Sequence, residues 1–290
     1  MNIHPLAIVS PEAQIGSEVT IGPFAVVEAD VVIEEGCRIA AHAVIKDGAR
    51  LGPRNEVCEG AVLGGHPQHA NKPAQLGRLI IGRENVIREH ATLHRSMKPD
   101  GATIVGDRNL IMVGAHIAHD CNVGNRIVLV NNALLGGHVI VEDRAIVSGG
   151  VGVHQFCRIG ALAMIAGLAR VVQDVPPYVL IDGNGCVVGL NLVGLRRNGF
   201  TTDQVVELKR AYRLIYRRGL KWTEILDTLK AEFTAGPAAA FHQFLTSGKR
   251  GFVQERRMPP GATIKLRPQG DDQAEESQPP ATPELWSKAG

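Results

Sequence analysis

The chain has 290 residues, a formal net charge of +2, only 4% aromatic residues and 33 glycines. So even a charge balance excludes the basic surface expected of a nucleic-acid-binding protein, and the shortage of aromatics excludes a bulky core in favour of a thin aliphatic one. No apolar run approaches the roughly 20 residues of a membrane span, and regular patterning begins at residue 3 with no charged and apolar leader before it, so a cytoplasmic protein without a membrane span is expected.

From Ile3 an aliphatic residue recurs every six positions: Val9, Ile15, Ile21, Val27, Ile33 and onward to Leu63. The beat resumes over Ile81, Ile87 and Leu93, and again from Val105 to Val171. Two residues before most of these stands a small side chain, as at Ala25, Cys37, Ala43, Ala115, Cys121 and Cys157, and glycine often follows, as at Gly16, Gly22 and Gly124. A period of six suits neither an amphipathic helix nor an alternating strand. It predicts a parallel β-helix of hexapeptide repeats, in which three hexads close a triangular coil and residue n lies beneath n+18. Stacked coils are strands about 4.8 Å apart. The aliphatic residue points inward, the small one fits the corner, and glycine is expected to relax the turn.

In chain order, residues 1–178 are expected to form the β-helix, broken by excursions at 66–78 (HPQHANKPAQLGR) and 97–103 (MKPDGAT). Pro176 and Pro177 should end the ladder, since proline lacks the donor a strand needs. Residues 179–199 read as a connector. Residues 200–252 read as a helical domain, opened by a capping box of Thr201 and Gln204 and carrying Val205, Leu208, Tyr212 and Ile215 on one face, then Ile225 and Leu229, then Phe241 and Phe244. Residues 253–290, rich in proline, glutamine and charge, read as a disordered tail. The five cysteines, Cys37, Cys58, Cys121, Cys157 and Cys186, lack metal-ligand spacing and read as reduced thiols, three of them at the small corner position.

The chemistry concentrates between Met112 and His154. With an 18-residue coil, Asp120 stacks near His138, His119 near Gly137, Gly137 near Gln155 and Gly136 near His154, with His116 on the same local strand as His119. These histidines fall at non-core positions. Three readings fit such a cluster: polar decoration of an interface between copies, a metal site of the kind seen in γ-class carbonic anhydrases, or a general base with an oxyanion hole. In the third, a neutral imidazole takes a proton from an alcohol, Asp120 orients it, and the Gly137 N–H faces a thioester carbonyl.

The segments HIAHDCNVGN (116–125), VNNALLGGHV (130–139), VHQFCRIGA (153–161), QDVPPYV (173–179), GLNLVGLRRNGF (189–200) and AYRLIYRRG (211–219) resemble the UDP-N-acetylglucosamine acyltransferases of lipid A biosynthesis. The resemblance runs from residue 1 to about 252. It implies a left-handed β-helix with a C-terminal helical domain, in a homotrimer with active sites between subunits. It implies transfer of an R-3-hydroxyacyl group from acyl carrier protein to the glucosamine 3-hydroxyl, without a cofactor or metal. It makes His119 the general base, Asp120 its partner and Gly137 the oxyanion donor. His116, His138, His154 and Gln155 would line the site, Gln68 and Lys72 would contact the sugar from the loop, Asn191 and Arg197 would contact the nucleotide, and Gly167 would floor the acyl groove. Acyl carrier protein is acidic, so Arg196, Arg197, Arg213, Arg217 and Arg218 are candidate docking residues.

The chain departs from the family pattern at His69, Asn71, Val193 and Asn198, all on the acceptor side. Runner-up expectations are therefore a UDP-linked 3-amino sugar as acceptor, a γ-carbonic-anhydrase-like metal trimer, and a catalytically silent relative that binds carrier protein.

Overall fold

A computed structural model describes residues 1–71 and 73–256. Short strands, mostly of two residues, stack into three sheets of 11, 9 and 8 strands, parallel except for the last strand of the first, that form the walls of a prism. Strand partners lie eighteen residues apart, as in Asn2 with Thr20 and His116 with Leu134. At the first excursion the step widens to thirty, Glu56 pairing with Val86. At the second it is twenty-four, Thr92 pairing with His116. The extra residues are extruded as loops, and the coil path is unchanged.

The sixfold aliphatic residues are the core: Ile21, Ile33, Ile45, Leu63, Ile87, Ile111, Ile117 and Leu135 are at most 2% exposed, as are the small corner residues Ala25, Cys37, Ala43 and Ala115. Each large buried side chain contributes about 1.5–3 kcal/mol relative to exposure. Three buried asparagines reinforce one corner where the register jumps. Asn85 donates from its backbone N–H and from Nδ2 to Asn55 Oδ1, each at 2.9 Å, and Asn109 N–H donates to Asn85 Oδ1 at 2.8 Å.

The turns differ from expectation. A residue in the left-handed region recurs at six-residue spacing along most of the prism, and most of these are not glycine: Glu18, Phe24, Asp120, His138 and Phe156 have φ between 57° and 66°. The glycines that follow the aliphatic positions serve another purpose. A Cβ on Gly16 would lie 2.7 Å from Glu35 N, and one on Gly136 would lie 2.7 Å from Gln155 N. They are small because the next coil passes directly over them, which is a matter of close approach and not of backbone freedom.

The ladder continues past Pro176 and Pro177. Val179–Ile181 still pairs in parallel with Met164 and Ile165, because the prolines occupy a corner where no ladder donor is required. Residues 179–199 are then structured: Val187–Leu190 returns antiparallel onto Val179–Ile181, and a short helix α1 follows at Leu192–Arg197. Helix α2, Thr202–Arg217, carries the capping box, with Thr201 Oγ1 accepting the Gln204 N–H and Gln204 accepting the Thr201 N–H. Helices α3, Trp222–Glu232, and α4, Ala239–Thr246, complete the helical part. Tyr178 joins it to the prism, its ring 5.8 Å from Phe200 and 5.7 Å from Phe241. Ordered structure also runs beyond residue 252: Phe252 bridges to Asp174, Glu255 bridges to Val187, and Val253 is buried. The rest of the expected tail, residues 257–290, lies outside the described residues, as does Lys72.

Candidate active site

One edge of the prism carries Asp120, His138 and Phe156 on successive coils, linked by hydrogen bonds from His138 N–H to His119 O at 3.0 Å and from Phe156 N–H to Gly137 O at 2.9 Å. His119 precedes Asp120 at this corner and is only 8% exposed. Its Nδ1 lies 2.8 Å from Asp120 Oδ2. A carboxylate only accepts, so Nδ1 carries a proton, and in the neutral imidazole this leaves the lone pair on Nε2. Gly137 lies against that free edge: a Cβ there would meet His119 Cε1 at 2.7 Å and Nε2 at 2.8 Å. Among the described residues, no acceptor meets the Gly137 N–H.

Asp120 is held from several sides. Its Oδ1 accepts the Ser96 hydroxyl, its Oδ2 accepts the Met97 N–H at 3.2 Å, and its own N–H donates to Thr103 Oγ1 at 2.7 Å. Burial alone would raise the carboxyl. The hydrogen bonds from Ser96, His119 and Met97, with the nearby His138, outweigh it and hold Asp120 below the ordinary carboxylate range. His138 Nε2 stands 3.9 Å from Asp120 Oδ2, its ring perpendicular to that of His119 at 5.2 Å and stacked on Phe156 at 4.5 Å. Desolvation pushes His138 down despite the pull of Asp120. His116 is also lowered by burial; its Nδ1 lies 2.8 Å from Thr92 Oγ1.

Beside the edge, an open groove of about 430 Å³ is lined by His116, Leu134, Gly136, Gly152, His154 and Arg170. Gln68 and His69 line a cavity of about 770 Å³ under the first excursion. The His69 ring lies edge-on to His119 at 5.9 Å, so the departure at this position faces the imidazole. Gln155 is exposed one coil above Gly137. Gly167 is exposed at a different corner, where a Cβ would meet only Gly149 O, at 3.3 Å.

The nucleotide candidates do not join this cluster. The Asn191 side chain caps α1, accepting the Gly194 N–H at 2.9 Å and donating to Leu162 O at 2.9 Å. It is 6% exposed, so its amide is engaged with the main chain. Arg197 is exposed in the last turn of α1.

Four contributors were not foreseen. Ser96 and Thr103 hold Asp120. His94 packs edge-on to His116 at 4.7 Å, and burial with repulsion from neighbouring imidazoles pushes it down to about 4. Arg250, from beyond α4, places Nη2 at 3.3 Å from His154 Nδ1. Ser96 and His94 were hidden because the second excursion changes the step from 18 to 24; Thr103 keeps the step of 18 and was passed over as part of the excursion. Arithmetic with that step would have placed Ser96 beneath Asp120.

His119, Asp120 and His138 also bring one ligand atom each within 4.8 Å of the others, so geometry alone admits either a general base or a cation at this corner. Likeness to known proteins gives the chemistry in which this corner is set. Residues 174–253 match the family model described as UDP N-acetylglucosamine O-acyltransferase, domain 2, and residues 12–47 match the bacterial transferase hexapeptide. The acyl-[acyl-carrier-protein]–UDP-N-acetylglucosamine O-acyltransferase of Janthinobacterium sp. (strain Marseille) is 47% identical over 259 residues, 87% of this chain and 99% of that protein. Its counterpart from Aliivibrio salmonicida (strain LFI1238) is 49% identical over 255 residues, 87% and 97% of the two chains. The chain belongs to this family.

Solved structures agree. The UDP-N-acetylglucosamine acyltransferases of Bacteroides fragilis and Francisella novicida superpose with TM-scores of 0.84 and 0.83, each at 38% identity. Each match covers 87% of this chain, and 99% and 94% of theirs. As in this family of O-acyltransferases, the coils wind left-handed and the protein is an enzyme of the acyltransferase class. Among the described residues, no helix is long and apolar enough to cross a membrane.

Proposed function

We propose that the protein transfers an R-3-hydroxyacyl group from acyl carrier protein to the 3-hydroxyl of UDP-N-acetylglucosamine, the first step of lipid A biosynthesis. The observation that carries this reading is the pairing of an oriented imidazole with an open amide: His119 holds its Nδ1 proton on Asp120 and presents Nε2 beside Gly137. Nε2 removes the proton of the sugar hydroxyl as its oxygen attacks the thioester carbonyl. The resulting oxyanion accepts a hydrogen bond from the Gly137 N–H. Asp120, held anionic, stabilises the imidazolium. Collapse of the adduct expels the carrier's thiolate, which takes the proton from Nε2, and both imidazole and thiol are restored.

The remaining assignments follow from this reading. His116, His138, His154, Gln155 and Gln68 bind the sugar and acyl groups, Arg197 takes a phosphate, and Gly167 leaves room for the acyl chain. The open groove beside His116 and the exposed Leu134 (48%), Phe156 (50%) and Leu168 (83%) support a homotrimer in which a neighbouring copy supplies the second wall. The arginines of α1 and α2 form the surface for acidic acyl carrier protein. Unpaired cysteines fit a cytoplasmic protein.

The test is turnover of 3-hydroxyacyl carrier protein with UDP-N-acetylglucosamine, alongside His119→Ala. Loss of a general base lowers the rate by about 10²–10⁴. Absence of turnover in the folded wild type, or an Ala variant as fast as wild type, rejects the reading.

A further inference from the structure

We propose that Ser96 is a positioning residue for the acyl-transfer reaction, clamping the Asp120 carboxylate so that it serves His119 and not His138. This deepens the reading above and rests on it. Two imidazoles compete for the same carboxylate oxygen: His119 Nδ1 is 2.8 Å from Asp120 Oδ2, and His138 Nε2 is 3.9 Å from it. The carboxylate turns about one bond, so whatever holds the other oxygen selects the partner. Ser96 Oγ holds it, donating to Asp120 Oδ1.

The hydroxyl is built to do this. Ser96 is fully buried. Its oxygen accepts the Lys98 N–H at 3.0 Å, so its single proton is directed to Asp120; the alternative acceptor, Lys98 O, is farther, at 3.3 Å. The second excursion closes over it: a Cβ on Gly101 would lie 2.6 Å from Ser96 Oγ. The same loop supplies the Met97 N–H to Oδ2, and the strand that ends it supplies Thr103 Oγ1 to the Asp120 N–H. The loop between Ser96 and Thr103 thus acts as a mould for one carboxylate, whose residue sits in a left-handed backbone conformation (φ 61°). The charged and titratable groups around it are His69, His94, His116, His119, His138 and Lys98.

Because the clamp acts through the base and touches no substrate, it should affect the chemical step and not binding. Full-length Ser96→Ala is expected to lose about tenfold in kcat, with KM for both substrates unchanged. The loss should vanish in an Asp120→Ala background, since the two residues act as one unit. Thr and Val at position 96 have the same size and differ by the hydroxyl, so Ser96→Thr should exceed Ser96→Val in kcat. That comparison holds even where the alanine variant is poorly folded.

A readout independent of turnover is the imidazole ¹⁵N–¹H spectrum. Wild type should show a strongly deshielded His119 Nδ1 proton, displaced or exchange-broadened in Ser96→Ala. The clamp is overturned by an unchanged His119 resonance, by equal turnover in the Thr and Val variants, or by the same tenfold loss without Asp120. Failure of wild type to acylate UDP-N-acetylglucosamine would instead reject the functional reading, and the spectrum would still decide the clamp.

Discussion

Two edges of the prism share one backbone and use it in opposite ways. Along the edge carrying Arg83, Asp107, Asn125 and Asp143, the first three corner N–H groups are each met by a side chain from the next coil. Arg83 N–H donates to Asp107 Oδ1 at 3.0 Å, Asp107 N–H to Asn125 Oδ1 at 2.8 Å, and Asn125 N–H to Asp143 Oδ1 at 2.8 Å. Along the edge carrying His119, Gly137 and Gln155, the equivalent N–H of Gly137 meets no acceptor among the described residues. The first edge is satisfied and structural. The second keeps a donor open, and an open buried donor is costly unless a ligand completes it. A repeat that caps some of its corners with side chains leaves this one open, next to the imidazole.

The largest expected effect comes from closing the second edge directly. Gly137→Ala places a methyl group against His119 Cε1 and Nε2, which displaces the base from the donor. We expect a loss of about 10²–10³ in kcat, the range for a damaged oxyanion site, with circular dichroism and native mass unchanged. A near-normal kcat would mean that the close approach has no catalytic purpose.

A subtler change would turn the second edge into the first. Gln155 stands where Asn125 and Asp143 stand on the capped edge, one coil above the free N–H. Gln155→Asn is shorter by one methylene and should reach back to cap Gly137 as Asn125 caps Asp107. Its kcat should fall roughly 10–100-fold, and further than that of Gln155→Ala, which removes the amide without supplying a cap. If the alanine variant is the slower of the two, the shortened amide does not reach the Gly137 N–H, and the loss reflects only the contact of Gln155 with substrate.

On the capped edge, Asp107→Ala uncaps the Arg83 N–H and breaks an exposed ion pair with Arg83 at 3.0 Å. Exposure limits the cost to about 1 kcal/mol of stability, read as a small shift in denaturation midpoint with unchanged kcat. The smallest effect concerns pH. Hydrogen bonds from Arg54 and then Arg108 draw Glu84 down to about 2. A depressed carboxyl contributes stability that is present above its unfolded pKa near 4.5 and is lost as pH falls from there towards 2. Glu84→Gln should therefore differ slightly from wild type at pH 6 and coincide with it near pH 2, and salt should shrink the difference.

Much of this was legible in the sequence because a solenoid makes spatial neighbours from a fixed arithmetic. The sixfold aliphatic beat shows the prism directly, since side chains at a single phase must all face inward. The step of eighteen brings Asp120 to His138 and Gly137 to His119 without coordinates. The capping box at Thr201 and Gln204 was readable because its partners are three residues apart. What the arithmetic missed lies where the step changes or the chain leaves the prism. Ser96 and His94 meet the site across a 24-residue step set by a loop, and Thr103 sits where that loop re-enters the prism. The hydrogen bonds of the Asn191 amide to Gly194 and Leu162 likewise lie outside the repeat.

The sequence by itself therefore determined the coil, its core and the imidazole–carboxylate–glycine set, because these depend on local spacing repeated many times. Only the tertiary structure decided how Asp120 is held, which corner donors are capped and which stay open, and where the ladder ends beyond Pro176. Those outcomes depend on loop closure and on the reach of single side chains across coils, and neither carries a period.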